Sequence, residues 1–505
     1  MINKDIYFIE ENAGFEELTS ESLKFASYLK KCGKKEIKIF LSSTFDFCAA
    51  LFGAMMANTK AHVVSDERLC DIGDLNFAKC KGDKEGEFFL NTNYKFYLYT
   101  SGSSGSSKII EKSIKDMFEE ANFLRNFIKM DGKKVYTSVT HQHMFGLTFK
   151  VFLPLVAGMK VLSSRLDYPE LIFAYDFTDS IFISSPVVLS VVSKYDNVCL
   201  NTASLIVSAG SKLSDDIRDK FTSKIMEIYG STETGVVASN FGSGFVIFDA
   251  VNADIKDDRL FINSKWCDNF LSFDMAEIHG KDLKLLGRSD RIIKLNETRF
   301  SLDEAESFLK DHTFIKDAKC ALLKNDKRVK ALLVLSDDGK NEFRNNGKLG
   351  IVDTIKKYLY PKFKTNIRSF KIISEIPKNS YGKFSISEFQ KCYDEKKIPS
   401  FSLLQSDEKI VKFSCFMSED CFFFEGHFRE FPLTPGFIQL GFVFECLDIY
   451  GIKIDGGYVV ENLKFMAFLR PFDRCIIEIC ITDKNINFKI FANETQCCSG
   501  RIKVV

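Results

Sequence analysis

The sequence predicts a multidomain α/β protein with an N-terminal α/β core, a small α+β unit after it and an α+β module at the C-terminus. Three observations lead there. Short β-rich runs alternate with helical spacing over residues 1–287, the pattern of a sheet fed by crossover helices. A strand pair and a helix follow, and beyond a polar stretch the last residues are again β-rich around one apolar helical segment. A length of 505 residues suits three domains at ~150 residues each.

In chain order, EIKIFLSS (36–43), KFYLYTSG (95–102), KKVYTSVT (133–140), MKVLSS (159–164), SIFISSP (180–186) and ASLIVSAG (203–210) predict strands that each enter a polar turn. IKDMFEEANFLRNFIK (114–129) has helical spacing. The expected domains are the core at 1–287, the small unit at 288–393, a linker at 394–409 and the last module at 410–505. The small unit holds strands around AKCALLK and VKALLVLSD, then a helix, IVDTIKKYLYPKF, ending near Pro361. The linker is polar, proline-bearing and non-periodic. The last module sets CIIEICI, NFKIFAN and CSGRIKVV around FIQLGFVFECLDIYG (437–451).

Composition narrows the function. A net charge of +1 leaves no global field to recruit nucleic acid or an anionic membrane. The apolar stretch FCAALFGAMMA (47–57) is far short of the ~20 residues that span a bilayer. MINKDIYFIEENAG carries early acids and is not read as a signal peptide. Fifteen cysteines without a C-x-x-C pair predict reduced thiols and a cytoplasmic protein.

The sharpest local signal is YLYTSGSSGSSK (97–108), a β-like run ending in glycines, hydroxyls and Lys108. Glycines let several N–H groups converge on one anion, and the hydroxyls and lysine add donors and charge. It is not a Walker loop, because Lys108 precedes Ile109 instead of Ser or Thr. The loop alone says only phosphate.

Three further stretches follow in order: EIYGSTETG (227–235), LLGRSDRIIK (285–294) and PKNSYGK (377–383). With the loop they resemble the acyl-adenylate-forming superfamily of acyl- and aryl-CoA synthetases, luciferases and peptide-synthetase adenylation domains. The resemblance implies an AMP-forming ligase core with a C-terminal lid. Thr100, Ser101, Gly102, Ser103, Ser104, Gly105 and Lys108 would hold pyrophosphate. Tyr229, Gly230, Ser231, Thr232 and Glu233 match the adenine and α-phosphate motif, with Glu233 holding Mg²⁺. Asp274 matches a ribose-binding aspartate assisted by Arg288, Asp290 the hinge, and Lys383 the lid lysine that bridges carboxylate and α-phosphate. HQHMFGLTFKVFLPLVAG (141–158) resembles the segment lining the acyl pocket, where His143, before Gly146, either gates or packs. Ala209 and Gly210 match a loop beside the acyl group.

Three features depart from that family. The core is short, Ser103-Ser104 stands where Thr-Thr is commoner, and Asn296, Glu297 and Thr298 fill a place usually held by glycine. The last change leaves the thiol acceptor open between coenzyme A and an acyl carrier protein.

Near the C-terminus, GHFREFPLTPGFIQLGFVFE (426–445) resembles the hot-dog β-hydroxyacyl-carrier-protein dehydratases. That resemblance implies His427 as the base that removes an α-proton, and an acid fourteen residues later. The latter position is Gly441. Glu445, one helical turn further and ~6 Å along the axis, is the candidate replacement, with Glu425 a second. A dehydratase, a thioesterase and a non-catalytic dimerising or carrier-binding module all remain open. Hot-dog domains pair, which implies a homodimer. A trimmed ligase beside a dehydratase-like module is similar to the enzyme pairs of aryl-polyene pathways, which points to an acyl carrier protein as partner. The function implied is ATP-dependent activation of an aromatic or medium-chain acid and its transfer to a pantetheine thiol.

Overall fold

The computed structural model describes the chain except residues 102–106, 196–198, 296–297, 325, 365, 378–383, 408, 425–427, 429, 455–456, 483–484 and 505. Gly102, Ser103, Ser104, Gly105, Lys383, Glu425 and His427 therefore lie outside the described residues, as do Asn296 and Glu297; Thr100 and Ser101 are described by their backbone only.

The chain divides into two compact units, one ending at Ser289 and the other beginning at Asp290. The first holds a thirteen-stranded mixed sheet and a four-stranded one. In the large sheet Lys134–Thr137, Ser180–Ser184, Leu205–Ala209 and Ile225–Ser231 run parallel in that order. Ile225–Ser231 then pairs antiparallel with Gly235–Asn240, so the sheet changes sense at that strand. In the small sheet Lys95–Ser101 and Ser107–Ser113 form an antiparallel pair with Thr100 opposite Lys108.

The helices bury what their spacing predicts. Thr44–Met56 is buried along its whole length. Ile114–Ile128 starts at a capping box of Ser113 and Asp116 and turns Ile114, Met117, Phe118, Ala121 and Leu124 inward. The same inward stripe carries Glu120.

The second unit contains the hairpin Ile292–Leu295/Thr298–Ser301 and two larger sheets. Ile315–Ala321, Val329–Leu335 and Ile367–Ile372 form the first, flanked by helix Asp337–Phe363. This helix begins well before the expected IVDTIKKYLYPKF. Gly347 interrupts it at φ +67°, and the polar turns before that glycine masked its start in the sequence. The second sheet has six antiparallel strands, in the order Ser402–Ser406, Ile410–Phe416, Arg474–Thr482, Asn485–Ala492, Thr495–Val504 and Tyr458–Phe465. Helix Gly436–Tyr450 packs on it through Phe442, Val443, Cys446 and Leu447.

Two expectations change here. Ser402–Ser406 is a strand, not linker; as an edge strand exposed at every residue it shows no alternation to read. The apolar helix is buried on one face only, leaving Phe437 70% and Ile449 52% exposed.

The strand sheets of the second unit are joined by side chains. Asp473, 2% exposed, lies 3.1 Å from Arg344 and also accepts from the Arg470 and Asn493 nitrogens. Arg470 donates to the Arg344 carbonyl, and the Phe343 and Phe472 rings meet edge to face at 5.8 Å. All fifteen cysteines are unpaired. Among the described residues no helix is long and apolar enough to cross a membrane.

Candidate functional site

The site gathers where the large sheet changes sense. Gly230 follows a bulge in the pairing of Ile225–Ser231, and a Cβ there would lie 2.1 Å from the Gly235 carbonyl, so only glycine fits. This crossing throws Ser231–Gly235 into a tight loop. The Ser231 N–H donates to Thr234 Oγ1 at 3.0 Å, and the Thr234 N–H donates to Ser231 Oγ at 3.2 Å.

Tyr229 points its hydroxyl at Asp274, donating to Oδ2 at 2.6 Å. Arg288 Nη1 stands 3.6 Å from the other oxygen of that carboxylate. Strand pairing makes this meeting, because Asp274 and Arg288 are directly opposed across an antiparallel ladder. Burial, and then the neighbouring Asp274 carboxylate, push the Tyr229 hydroxyl far above its ordinary range, so it stays a donor. Lys108 lies 5.4 Å from the Phe273 ring, and Arg288 and Arg259 each 5.8 Å, which brings three cations to one aromatic beside Asp274. Gly210, at φ +103°, borders open space, since nothing lies within 4 Å of where its Cβ would be. Ala209 ends the neighbouring strand.

Glu233 and Thr232 are half-buried in the loop. Among the described residues the Glu233 carboxylate makes no hydrogen bond or ion pair, and only its backbone carbonyl accepts one. Its backbone is anchored from below by the Lys112 ammonium, which donates to the Glu233 carbonyl at 2.8 Å. Lys112 is 4% exposed. Beneath the loop, Glu120 accepts from the Val236 N–H at 2.7 Å and from the Thr148 hydroxyl at 3.1 Å. Burial raises its carboxyl to about 6, with Lys112 pulling the other way.

Sequence reasoning passed over Lys112 and Glu120. Glu120 had a signal, an acid on the inward stripe between Met117 and Leu124; Lys112, in a hairpin strand, had none.

His143 caps the short turn Met144–Gly146 and is half-buried. The deeply buried histidine is His141, whose Nε2 lies 2.8 Å from the Leu41 carbonyl and whose ring meets Phe47 at 4.5 Å. Asp290 opens the second unit in the turn Ser289–Arg291. In the C-terminal module Gly441 and Glu445 share the exposed face of the helix, and partial burial raises the Glu445 carboxyl. No side chain fills the place at Gly441, where a Cβ would meet nothing within 4 Å.

Two segments of the chain match known protein families. Residues 83–259 match the family of AMP-binding enzymes, and residues 404–501 match the family described as ApeI-like, ApeI dehydratase. The two matched segments lie in that order along the chain, the first similar to AMP-binding enzymes and the second to the ApeI-like family.

Among solved structures, O-succinylbenzoate coenzyme A synthetase (MenE) from Bacillus subtilis is 16% identical with a TM-score of 0.62, over 77% of this chain and 96% of its own. A benzoate CoA ligase from Burkholderia xenovorans LB400 is 15% identical at TM-score 0.59, over 75% and 94%. MatB from Rhodopseudomonas palustris, bound to ATP, is 13% identical at 0.62, over 76% and 94%. At such identities the likeness establishes the fold of adenylate-forming enzymes. No curated protein sequence matches the chain.

Proposed function

We propose that the chain is an AMP-forming acid–thiol ligase joined to a hot-dog module that acts on the acyl thioester. The observation that carries the first half is the Tyr229–Asp274–Arg288 cluster with Lys108, which brings two residues of the matched AMP-binding segment, Lys108 and Tyr229, together with Asp274 and Arg288 beyond it. The donor set suits a nucleotide: a carboxylate for ribose hydroxyls, cations for phosphate and an unpartnered Glu233 for Mg²⁺.

ATP supplies the α-phosphorus that a substrate carboxylate attacks; the new O–P bond forms as pyrophosphate leaves. Lys108 and Arg288 balance charge growing on phosphate oxygens, and Asp274, held by Tyr229, fixes the ribose end. Lys383 takes the bridging role between carboxylate and phosphate. A pantetheine sulfur then attacks the acyl carbon, and AMP leaves with the electron pair of the C–O bond. The acid is aromatic or medium-chain, and the thiol belongs to an acyl carrier protein, with coenzyme A the other acceptor.

In the C-terminal module His427 removes the α-proton of a β-hydroxyacyl thioester, and Glu445 protonates the departing hydroxyl. The half-exposed apolar helix supports a homodimer. Its Phe444 ring lies 4.9 Å from Tyr458 on the edge strand, and a Cβ on Gly436 would meet the Phe465 ring at 2.6 Å, so Phe437, Tyr458 and Phe465 form one exposed face. Unpaired cysteines support a reducing, cytoplasmic setting.

Acid-dependent exchange of labelled pyrophosphate into ATP tests the ligase, with Lys383→Ala as control. Exchange with an aromatic or medium-chain acid that vanishes in the variant is expected; none with a broad panel of acids overturns the reading. For the module, water loss from a β-hydroxyacyl carrier protein should disappear in His427→Ala. Thioester hydrolysis by the wild type instead identifies a thioesterase, and neither reaction leaves a dimerising module.

A further inference from the structure

Within the second unit, a cavity of about 610 Å³ opens between helix Asp337–Phe363, strand Ile367–Ile372 and the segment leading into the hot-dog helix. That volume lies in the ~300–1,000 Å³ range of small-ligand sites. Neither the adenylation site nor Glu445 lines it.

The lining changes character along its length. Lys348, Arg368 and Lys396 stand exposed around it, with Asp394 and Glu395 among them. Phe343, Val352, Phe370 and Ile372 are buried apolar walls. Phe424 and Phe428 line it as well, and in sequence they flank the segment expected to carry the base of the hot-dog site. Phe428 is 65% exposed and held at φ +48°, a backbone region that a bulky aromatic rarely occupies.

Two buried acids give the cavity its chemistry. The Asp420 side chain is 6% exposed; one of its oxygens lies 3.4 Å from Lys397, while Oδ1 is buried with no hydrogen-bond partner among the described residues. An unpaired buried carboxylate oxygen is costly and calls for an N–H donor. Its neighbour Glu419, 9% exposed, lines the same cavity, and burial raises its carboxyl against a backbone hydrogen bond that lowers it. The unpaired Asp420 oxygen suits the N–H of an amide.

We propose that this cavity binds the phosphopantetheine arm of the acyl thioester on which the hot-dog module acts. Its phosphate meets Lys348, Arg368 and Lys396, an amide N–H donates to Asp420, and the thioester end lies toward Phe424 and Phe428. The assignment rests on the thioester reading of the module but not on which reaction the module performs.

The test is direct binding to the full chain, by calorimetry, of S-(3-hydroxyoctanoyl)-phosphopantetheine and of the same acyl group on N-acetylcysteamine, which lacks the phosphate. Coenzyme A and carrier-protein thioesters of the same acid tell the two natural sources apart. We expect the phosphorylated arm to bind at least tenfold more tightly than the N-acetylcysteamine thioester. Arg368→Glu should abolish that difference, and Asp420→Asn and Leu349→Trp should each weaken arm binding about tenfold or more.

Leu349 is 40% exposed and lines the cavity, so tryptophan there fills space without entering the core. Unchanged melting and pyrophosphate exchange in Leu349→Trp and Arg368→Glu show that the fold survives. Wild-type affinity in both of these variants, or no binding by the wild type, overturns the cavity assignment. Arm binding that the variants weaken, with no water loss by the wild type, removes the dehydratase reading and leaves the cavity standing.

Discussion

Tyr229 and Asp274 meet through a 2.6 Å hydrogen bond, and the same carboxylate reaches toward Arg288 at 3.6 Å. Removing Asp274 takes away the acceptor of the Tyr229 hydroxyl and one carboxylate contact of Arg288. Hydrogen bonds to charged groups contribute ~1.5–3 kcal/mol, so Asp274→Ala should raise the KM for ATP roughly 10- to 100-fold in pyrophosphate exchange. Tyr229→Phe, which keeps the carboxylate, should raise it less than about tenfold.

Lys112 holds the loop that presents Glu233, donating to that residue's backbone carbonyl at 2.8 Å. Its ammonium reaches the backbone of Glu233, so on the proposed reading its loss should misplace the carboxylate assigned to Mg²⁺ and leave the acid pocket alone. Lys112→Met is expected to raise the Mg²⁺ concentration for half-maximal exchange several-fold while leaving the KM of the carboxylic acid unchanged. An equal change in both constants would mean that Lys112 supports the whole core.

Glu120 gives a pH signature. Its carboxyl titrates near about 6 in the folded protein, above the ordinary 4.5 of an unfolded chain. Between those values the folded state holds the extra proton, so this group's stabilisation is complete below about 4.5 and is lost as pH rises through about 6. Glu120→Gln should therefore be more stable than wild type at pH 7–8, by on the order of 1–2 kcal/mol. The advantage should shrink to nothing by about pH 4.5, as read from melting temperatures across that range.

The ion pair between Arg344 and buried Asp473 predicts a stability effect. Removing one partner of a fully buried pair costs ~3–5 kcal/mol. Arg344 is about one-third exposed, so Arg344→Ala should cost less, roughly 2–3 kcal/mol, in denaturant unfolding of the full chain. Lid and hot-dog residues should lose protection against hydrogen exchange together.

Phe437 and Tyr458 lie on an apolar face that the hot-dog helix leaves uncovered, 70% and 49% exposed. A charge at each position, in Phe437→Glu/Tyr458→Glu, should turn a dimer into a monomer in sedimentation velocity while pyrophosphate exchange persists. A wild type that sediments as a monomer would remove the homodimer from the proposal.

Much of this architecture was legible in the residues. The strands leading to the site are β-branched runs closed by polar turns, and the glycines at 230 and 235 fall where backbones come within touching distance. The hot-dog helix announced itself by its mostly apolar run. Exposed Phe437 and Ile449 blurred which face meets the sheet, because only Glu445 and Asp448 mark its polar side. Ser402–Ser406 escaped for the opposite reason, lying on an edge with every side chain in solvent. Lys112 and the Arg344–Asp473 pair depend on partners more than a hundred residues away, and no local spacing encodes them.

That last pair also decides where the chain can be cut. Ending it after Asp394 strips Arg344 of its acid and bares the Phe343 ring, so the piece released carries a damaged second unit. Anyone wishing to graft a different C-terminal chemistry onto this core should exchange the cassette from Asp290 onward. The seam that matters lies at Ser289–Asp290 and not in the polar stretch that looks like one.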